Sequence, residues 1–249
     1  MTDFVISLAD VPIAVSALHE STRDFCGGWL VDEPARERIV LTQDDIESER
    51  RYAAEQNVRE GLRVRSYGDA YLETLALYRR AASVLLRYDT VVFHGAVLAV
   101  GERAYLFTAP SGTGKTTHAR FWLAQVPGCY VLNGDKPLLR IGDSDVVAYG
   151  TPWMGKEGMG VNGFLPLAGL CVLRRDDHDH IERLDAREAL STIIAQSHRP
   201  KDPMGLVRVV ELAGRMGSLV PLWQMGCTLD ERSALMSWRA MCGLADAEA

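Results

Sequence analysis

Residues Ala109-Pro-Ser-Gly-Thr-Gly-Lys-Thr116 constrain this chain more than any other stretch. An apolar β-type run, AYLFTA, enters the segment and a helix-forming run, TTHARFWLA, leaves it. Gly112 and Gly114, with one residue between them, let the backbone make turns that a Cβ would forbid. Lys115 and Thr116 then fall where the helix begins. A helix start presents unpaired N–H groups and the positive end of the helix dipole, so this junction is suited to an anion. A strand–turn–helix of this kind belongs to an α/β sheet whose helices cover its faces.

The spacing is that of a Walker A phosphate loop, with Ala109 in place of the first glycine. In such a loop Ser111, Gly112, Thr113 and Gly114 turn successive N–H groups inward around phosphates. Lys115 places a point charge on the β- and γ-phosphates and the Thr116 hydroxyl ligates Mg²⁺, with Thr117 beside them in the nucleotide-binding set. A loop of this type also needs an acid at the end of a neighbouring strand. Tyr130-Val-Leu-Asn-Gly-Asp-Lys-Pro137 offers Asp135. Gly-Asp is also ordinary turn chemistry, but one helix and one strand after Lys115 the position favours Mg²⁺ contact, general-base work, or both.

The chain around this motif has 249 residues, 47% hydrophobic and 24% charged, with 27 Lys+Arg against 33 Asp+Glu and a net charge of −6. That excludes a disordered polyelectrolyte. The acidic balance argues against nucleic acid as the main partner. Charged residues (Glu73, Arg79, Arg80, His94) interrupt the most apolar windows, so no membrane span is expected. Five isolated cysteines without a CxxC pair, and no basic secretory n-region at the start, predict a reduced cytoplasmic protein. The low positive charge predicts that Lys115, Lys156 and Arg199 converge locally if a polyanion is to bind.

Along the chain, FVISLA reads as a strand, and Thr42-Gln-Asp-Asp45 opens a charged helix to about Gln56. Leu72, Leu75, Tyr78, Ala82, Leu85 and Leu86 form the stripe of a core-facing helix after Asp69. VVFHGAVLAV and AYLFTA read as a hairpin. CYVLN, PLLRI, VVAYG, AGLCVLRR and VPLWQMGCTL are further strands. Asp185 and Asp202 cap helices, the latter with Pro203 at the first position. A last helix opens at Thr228 and runs through Met241, and the tail LADAEA is expected to fray. The pattern predicts an α/β fold with a mixed sheet and flanking helices.

VVFHGAVLAVGERAYLFTAPSGTGKTTHARFW, VLNGDKP, YGTPWMGKEG and QSHRP together resemble the HPr serine kinase/phosphorylase family, over about residues 88–245. The resemblance implies a P-loop kinase fold of the HPr kinase/phosphoenolpyruvate carboxykinase type. Residues 88–245 suffice for that core, and 1–87, most of which matches no family, is expected as an N-terminal α/β subregion packed on it, in a single kinase-like domain over 1–249. The resemblance also implies transfer of an ATP phosphoryl group, with Mg²⁺, to a serine hydroxyl. Lys115 then holds phosphate, Thr116 and Asp135 contact the metal, Asp135 activates the acceptor, and His94 lies beside the phosphates. The family pattern has an acid soon after the P-loop Lys-Ser/Thr and an Asp-Asp pair after the strand. Those positions here are Thr117-His118 and Gly134-Asp135.

Other positions carry two readings. His94 in an apolar strand is either a hydrogen-bonded core residue or a site residue. Thr151-Pro-Trp-Met-Gly-Lys156 is either a packed loop over Trp153 or a glycine-flanked lid whose Lys156 closes on the γ-phosphate. Arg199, in Gln196-Ser-His-Arg-Pro200, is either a cation at a helix C-terminus or a clamp on the transferring phosphoryl group. Asp176-Asp-His-Asp-His180 reads as a solvated hairpin turn. Trp122, Trp223 and Trp238 read as core. The acceptor is expected to be a peptide or protein serine, with a small-alcohol kinase or a nucleotide-gated regulatory ATPase as alternatives. A homo-oligomer is compatible with all of these.

Overall fold

A computed structural model describes residues 1–59, 66–110, 112–228 and 230–243. The chain divides into two compact units, Met1–Leu85 and Leu86–Ala249.

In the first unit, β1 (Thr2–Leu8) and β2 (Val11–Ala17) form an antiparallel hairpin, and β3 (Glu37–Val40) adds parallel to β2. Ala9 and Asp10 turn the hairpin with φ of 47° and 56°. Two positive values in a two-residue loop match the right-handed twist of the strands they join. Helices α1 (Glu20–Phe25), α2 (Gln43–Arg59) and α3 (Asp69–Leu85) complete the unit. At α2, Asp45 Oδ2 accepts from the Thr42 N–H at 3.0 Å and Thr42 Oγ1 accepts from the Asp45 N–H at 3.3 Å, the reciprocal cap expected from sequence. The face of α3 is broader than the leucine stripe. Glu73, Ala76, Leu77 and Ala81 are buried, while Leu75 and Tyr78 are half-buried. Glu73 is the reason the face turns. Its carboxylate accepts from the N–H groups of Leu18 and His19 and from Thr22 Oγ1, so it satisfies the start of α1 that no α1 side chain caps.

The second unit is a nine-stranded mixed sheet with helices on both faces. A single 3₁₀ turn (Leu86–Tyr88) leads into β4 (Thr90–Val92), followed by β5 (Ala96–Val100), β6 (Arg103–Thr108), α4 (Lys115–Gln125) and β7 (Tyr130–Asn133). Then come β8 (Leu138–Ile141), β9 (Val146–Tyr149), β10 (Phe164–Arg175), β11 (His180–Arg183), α5 (Ala186–Gln196), α6 (Pro203–Leu219), β12 (Leu222–Cys227) and α7 (Arg232–Cys242). Strand order is β4-β8-β9-β10-β6-β5-β7, with β12 on β10 and β11 on β12. The long β10 joins the parts. Phe164–Pro166 pairs with β9, Leu167–Val172 with β6, and Leu170–Arg175 with β12. Only β6–β10 and β10–β12 are parallel in this sheet.

Alternation builds two cores. Val97, Leu106, Leu170 and Val172 face one side, against Ile193, Val209, Leu212 and Met216 of α5 and α6. Leu98, Tyr105, Phe107, Cys171 and Leu173 face the other, against Ala119 and Trp122 of α4 and Ala234 and Met241 of α7. Successive residues of a strand point to opposite faces, so strands covered on both sides read as nearly continuous apolar runs.

Three expectations need correction. VVFHGAVLAV is not one strand: it breaks at Phe93–Gly95 into β4, which pairs with β8, and β5, which pairs with β6 and β7. A Cβ on Gly95 would lie 2.8 Å from the Phe107 carbonyl oxygen, so glycine is what lets the chain change sheet partner there. Nor do β10 and β11 form a hairpin, because β12 lies between them. Asp185 and Asp202 cap α5 and α6 as expected, accepting from Arg187 N–H and Gly205 N–H. The last helix starts at Arg232 and not at Thr228, whose N–H and hydroxyl are both committed to Asp179. The tail 244–249 lies outside the described residues. No helix among the described residues is long and apolar enough to cross a membrane.

Candidate active site

Strand directions gather the chemistry at one edge. β5 is antiparallel to both β6 and β7, so β6 and β7 run the same way, and β10 runs parallel to β6. The C-terminal ends of β6, β7 and β10 therefore meet the start of β5. The glycine loop 109–116 follows β6, Asp135 follows β7, His94 precedes β5, and Arg175 ends β10. The strand carrying Asp135 is next but one to the glycine-loop strand, not its neighbour, because β5 returns through a tight turn and takes the intervening place.

Gly112 and Gly114 have φ of 77° and 118°. Those left-handed values are open to glycine at little strain and give the loop its curl. Thr113 closes the turn, its hydroxyl donating to the Pro110 carbonyl at 2.9 Å. Among the described residues no side chain caps α4, so its first N–H groups face the loop. Lys115 donates from Nζ to the Ala109 carbonyl at 2.8 Å. Burial pulls the Lys115 pKa down, Asp135 pulls it back up and Lys136 adds to the lowering. Thr116 is exposed on the first turn of α4, and Thr117 is half-buried. Ser111 lies outside the described residues. Arg175 donates from its guanidinium to the Gly112 carbonyl at 2.7 Å.

Asp135 is held in place by its neighbours. Asn133 is fully buried, and its Oδ1 accepts the N–H groups of Asp135 at 3.0 Å and Lys136 at 2.8 Å. The Asn133 amide donates to the Thr151 carbonyl and hydroxyl oxygens, and the Thr151 hydroxyl donates to the Lys136 carbonyl at 2.8 Å. The Asp135 carbonyl accepts from the Gly95 N–H at 3.0 Å. Asp135 Oδ1 lies 3.3 Å from Lys136 Nζ and 3.4 Å from His94 Nε2, with about a third of the side chain exposed (33%).

His94 is not in a strand but in the break between β4 and β5. Its N–H donates to the Gln196 carbonyl at 2.7 Å, and its Nδ1 lies 3.0 Å from Gln196 Oε1. Burial, then the charges of Lys136 and Lys115, push its pKa down to about 4 against the pull of Asp135. At pH 7 the ring is neutral and carries one N–H. That proton serves either Gln196 Oε1 or Asp135 Oδ1, and turning the Gln196 amide end for end satisfies both.

The segment 152–160 passes over Asp135. Gly134 donates its N–H to the Met159 carbonyl at 3.0 Å, and Val161 pairs with the Leu132 carbonyl. A Cβ on Gly134 would lie 2.9 Å from the Met154 carbonyl oxygen and 3.1 Å from that of Met159. This backbone therefore has no room for a second acid before Asp135, which accounts for the Gly-Asp sequence. Lys156 is exposed in the turn at 155–158, one residue after Gly155, whose Cβ position is 3.0 Å from Asp135 Cβ. The same turn reaches α4 through an Arg120–Glu157 ion pair at 2.8 Å. His118, the other departure, does not face the loop. It is buried against α7, with Nε2 3.0 Å from Ser237 Oγ. Arg199 is exposed, three residues beyond Gln196.

No protein-family model matches the chain, and no curated protein matches it. Among solved structures it is similar to the Hpr(Ser) kinase/phosphatase from Coxiella burnetii, with a TM-score of 0.35 and 10% identity, covering 61% of this chain and 98% of that one.

The electrostatic couplings bring His94, Lys115, Asp135 and Lys136 together. Lys136 is a cation beside Asp135 whose charge also reaches Lys115 and His94. Lys136 was missed in the sequence although it directly follows Asp135. Gln196 and Asn133 were also missed as supports. The residues fit a magnesium nucleotide. The loop carries two positive-φ glycines, Lys115 follows them, and the half-buried Asp135 carboxylate acts on Lys115 through its charge.

Proposed function

We propose that this chain is an ATP- and Mg²⁺-dependent phosphotransferase acting on a hydroxyl acceptor, a serine of a peptide or protein in the first instance. The observation that carries the reading is the shared edge. A strand–glycine loop–Lys–Thr–helix unit ends beside a single, firmly positioned carboxylate whose charge reaches Lys115. Phosphoryl transfer is mostly positioning and charge neutralisation, and these residues supply both.

The backbone N–H groups of 111–114 and the start of α4 receive the phosphates, and Lys115 leaves the Ala109 carbonyl for the β- and γ-oxygens. The Thr116 hydroxyl and the Asp135 carboxylate would hold Mg²⁺, which would supply neutralisation of phosphate charge. Asp135 takes the acceptor proton as the oxygen attacks in line. Neutral His94 and Lys136 fix the Asp135 Oδ1 side of the carboxylate. Arg199 and Lys156, both exposed, add charge from solvent-facing loops as the acceptor closes the site.

Labelled ATP and a panel of serine peptides and small alcohols test this, with the product identified by mass. Lys115→Ala is expected to lose ATP binding. Asp135→Asn is expected to keep binding but lose about 10²–10⁴-fold in transfer rate. Wild-type turnover by Asp135→Asn removes the base assignment. ATP bound with no phosphate passed to any acceptor supports a nucleotide-gated regulator and overturns the phosphotransferase reading.

A further inference from the structure

We infer that Asp176, His178 and His180 form a binding site for a transition-metal ion of the Zn²⁺ class. The site uses none of the residues assigned to nucleotide and does not rest on the phosphotransferase reading. The three residues lie at every second position from the end of β10 into β11, and the bend at 177–178 leaves one ligand atom from each within 4.8 Å of the others. The imidazole rings of His178 and His180 lie 5.1 Å apart at 31°, and His178 Nδ1 is 3.3 Å from Asp176 Oδ1.

The segment is not a loose loop. Asp179, of the opposite parity, accepts from the Thr228 N–H at 2.8 Å and from its hydroxyl at 3.1 Å. That anchor pins the connection to the chain just after β12. Asp176 Oδ1 accepts the Asp177 N–H at 2.7 Å. Opposite His180 on β12 stands Gly226. A Cβ there would lie 2.7 Å from His180 Nδ1 and 2.9 Å from Asp176 Cβ, with the ring's Cε1 closer still. The ring of His180 and the stem of Asp176 thus share the space that a side chain on residue 226 would fill.

Two imidazoles and a carboxylate suit Zn²⁺, Ni²⁺ or Co²⁺, whereas Mg²⁺ and Ca²⁺ prefer all-oxygen shells. Ligands about 2.0–2.1 Å from a tetrahedral ion stand about 3.3 Å apart, so the donors must close by roughly an ångström. His178, with 77% of its side chain exposed, is free to make that movement. Three protein donors leave one position for water.

Zn²⁺ alone is the probe, added to the chelator-treated full chain without nucleotide and followed by titration calorimetry and thermal melting. Wild type is expected to bind one more ion than the His178→Asn/His180→Asn double variant, with a melting temperature that rises with Zn²⁺ only in wild type. Single His→Asn variants are expected to lose more than the roughly 10–100-fold that changes behind a ligand produce. Co²⁺ should give tetrahedral visible absorption in wild type and not in the double variant. His178 is exposed and His180 half-buried, and asparagine is smaller than histidine, so circular dichroism is expected to be the same for all variants. Zn²⁺ bound by the double variant with unchanged stoichiometry and affinity overturns the assignment, as does the absence of Zn²⁺ binding by wild type.

Discussion

His94 is kept neutral chiefly by burial, with neighbouring charges adjusting the balance. Burial removes its proton, and Lys136 and Lys115 reinforce that, while Asp135 opposes it. Lys136→Met is therefore expected to raise the His94 pKa from about 4 toward 6.5, read from the imidazole proton shifts in an NMR titration. An unmoved His94 would show that the ammonium group is too well solvated to act on it. Gly134→Ala probes a different constraint. Its methyl would press on two carbonyl oxygens that belong to the segment over Asp135. A loss of about 1–3 kcal/mol in a denaturant melt is expected, together with weaker transfer. The sequence singles out Lys115 and Thr116 by the loop's spacing and Asp135 by its place after the next strand, and the charge of Asp135 does reach Lys115. Lys136 and Gln196 were not readable. One matters through charge at the end of a flexible stem, the other through a contact spanning 102 residues.

Helix α4 is tied to α7 by a small buried polar cluster. Ser237 Oγ accepts from the Trp122 indole at 2.8 Å, donates to the Ala234 carbonyl and lies 3.0 Å from His118 Nε2. Ser237→Ala strands the indole N–H and one imidazole nitrogen in the core. It is expected to cost about 1–3 kcal/mol, measured by chemical denaturation. Asp202→Ala, at the start of α6, is expected to cost about 1 kcal/mol by the same measurement, since the cap serves one exposed N–H. Most elements were legible because their signals are local: Thr42 and Asp45, Asp185, Asp202 with Pro203, and the apolar runs of β6 and β10. The strand break at Phe93–Gly95 and the start of α7 were not. At Gly95 the deciding contact is with Phe107, and at Thr228 it is with Asp179, both across the sheet and invisible to a window of neighbouring residues.

At the scale of the molecule, two histidines stay neutral inside the folded chain. His118 is 1% exposed and its pKa is pushed down to about 4, chiefly by burial; His94 shifts the same way. Between pH 6.5 and about 4 the unfolded chain takes up protons that the folded chain refuses. Stability is thus full above pH 6.5 and falls as pH drops through that window. For His118 the loss reaches up to roughly 3 kcal/mol. Denaturant melts at pH 7 and pH 4.5 measure it, and His118→Gln is expected to flatten the dependence. Equal midpoints for wild type at both values would contradict it.

The place of β12 has a consequence for how the chain reaches this state. Residues 222–227 insert between β10 and β11, which end at Arg175 and Arg183. During synthesis β10 and β11 leave the ribosome first, each with an open edge that waits for some forty residues more. Helices α5 and α6 fill that interval, so the core on their side can collapse while the β10 edge is still unpaired. Such an edge is a template for another chain. Expression of a fragment ending at Val220 should give aggregates, and slowing elongation just before residue 222 should lower the soluble yield of the whole protein.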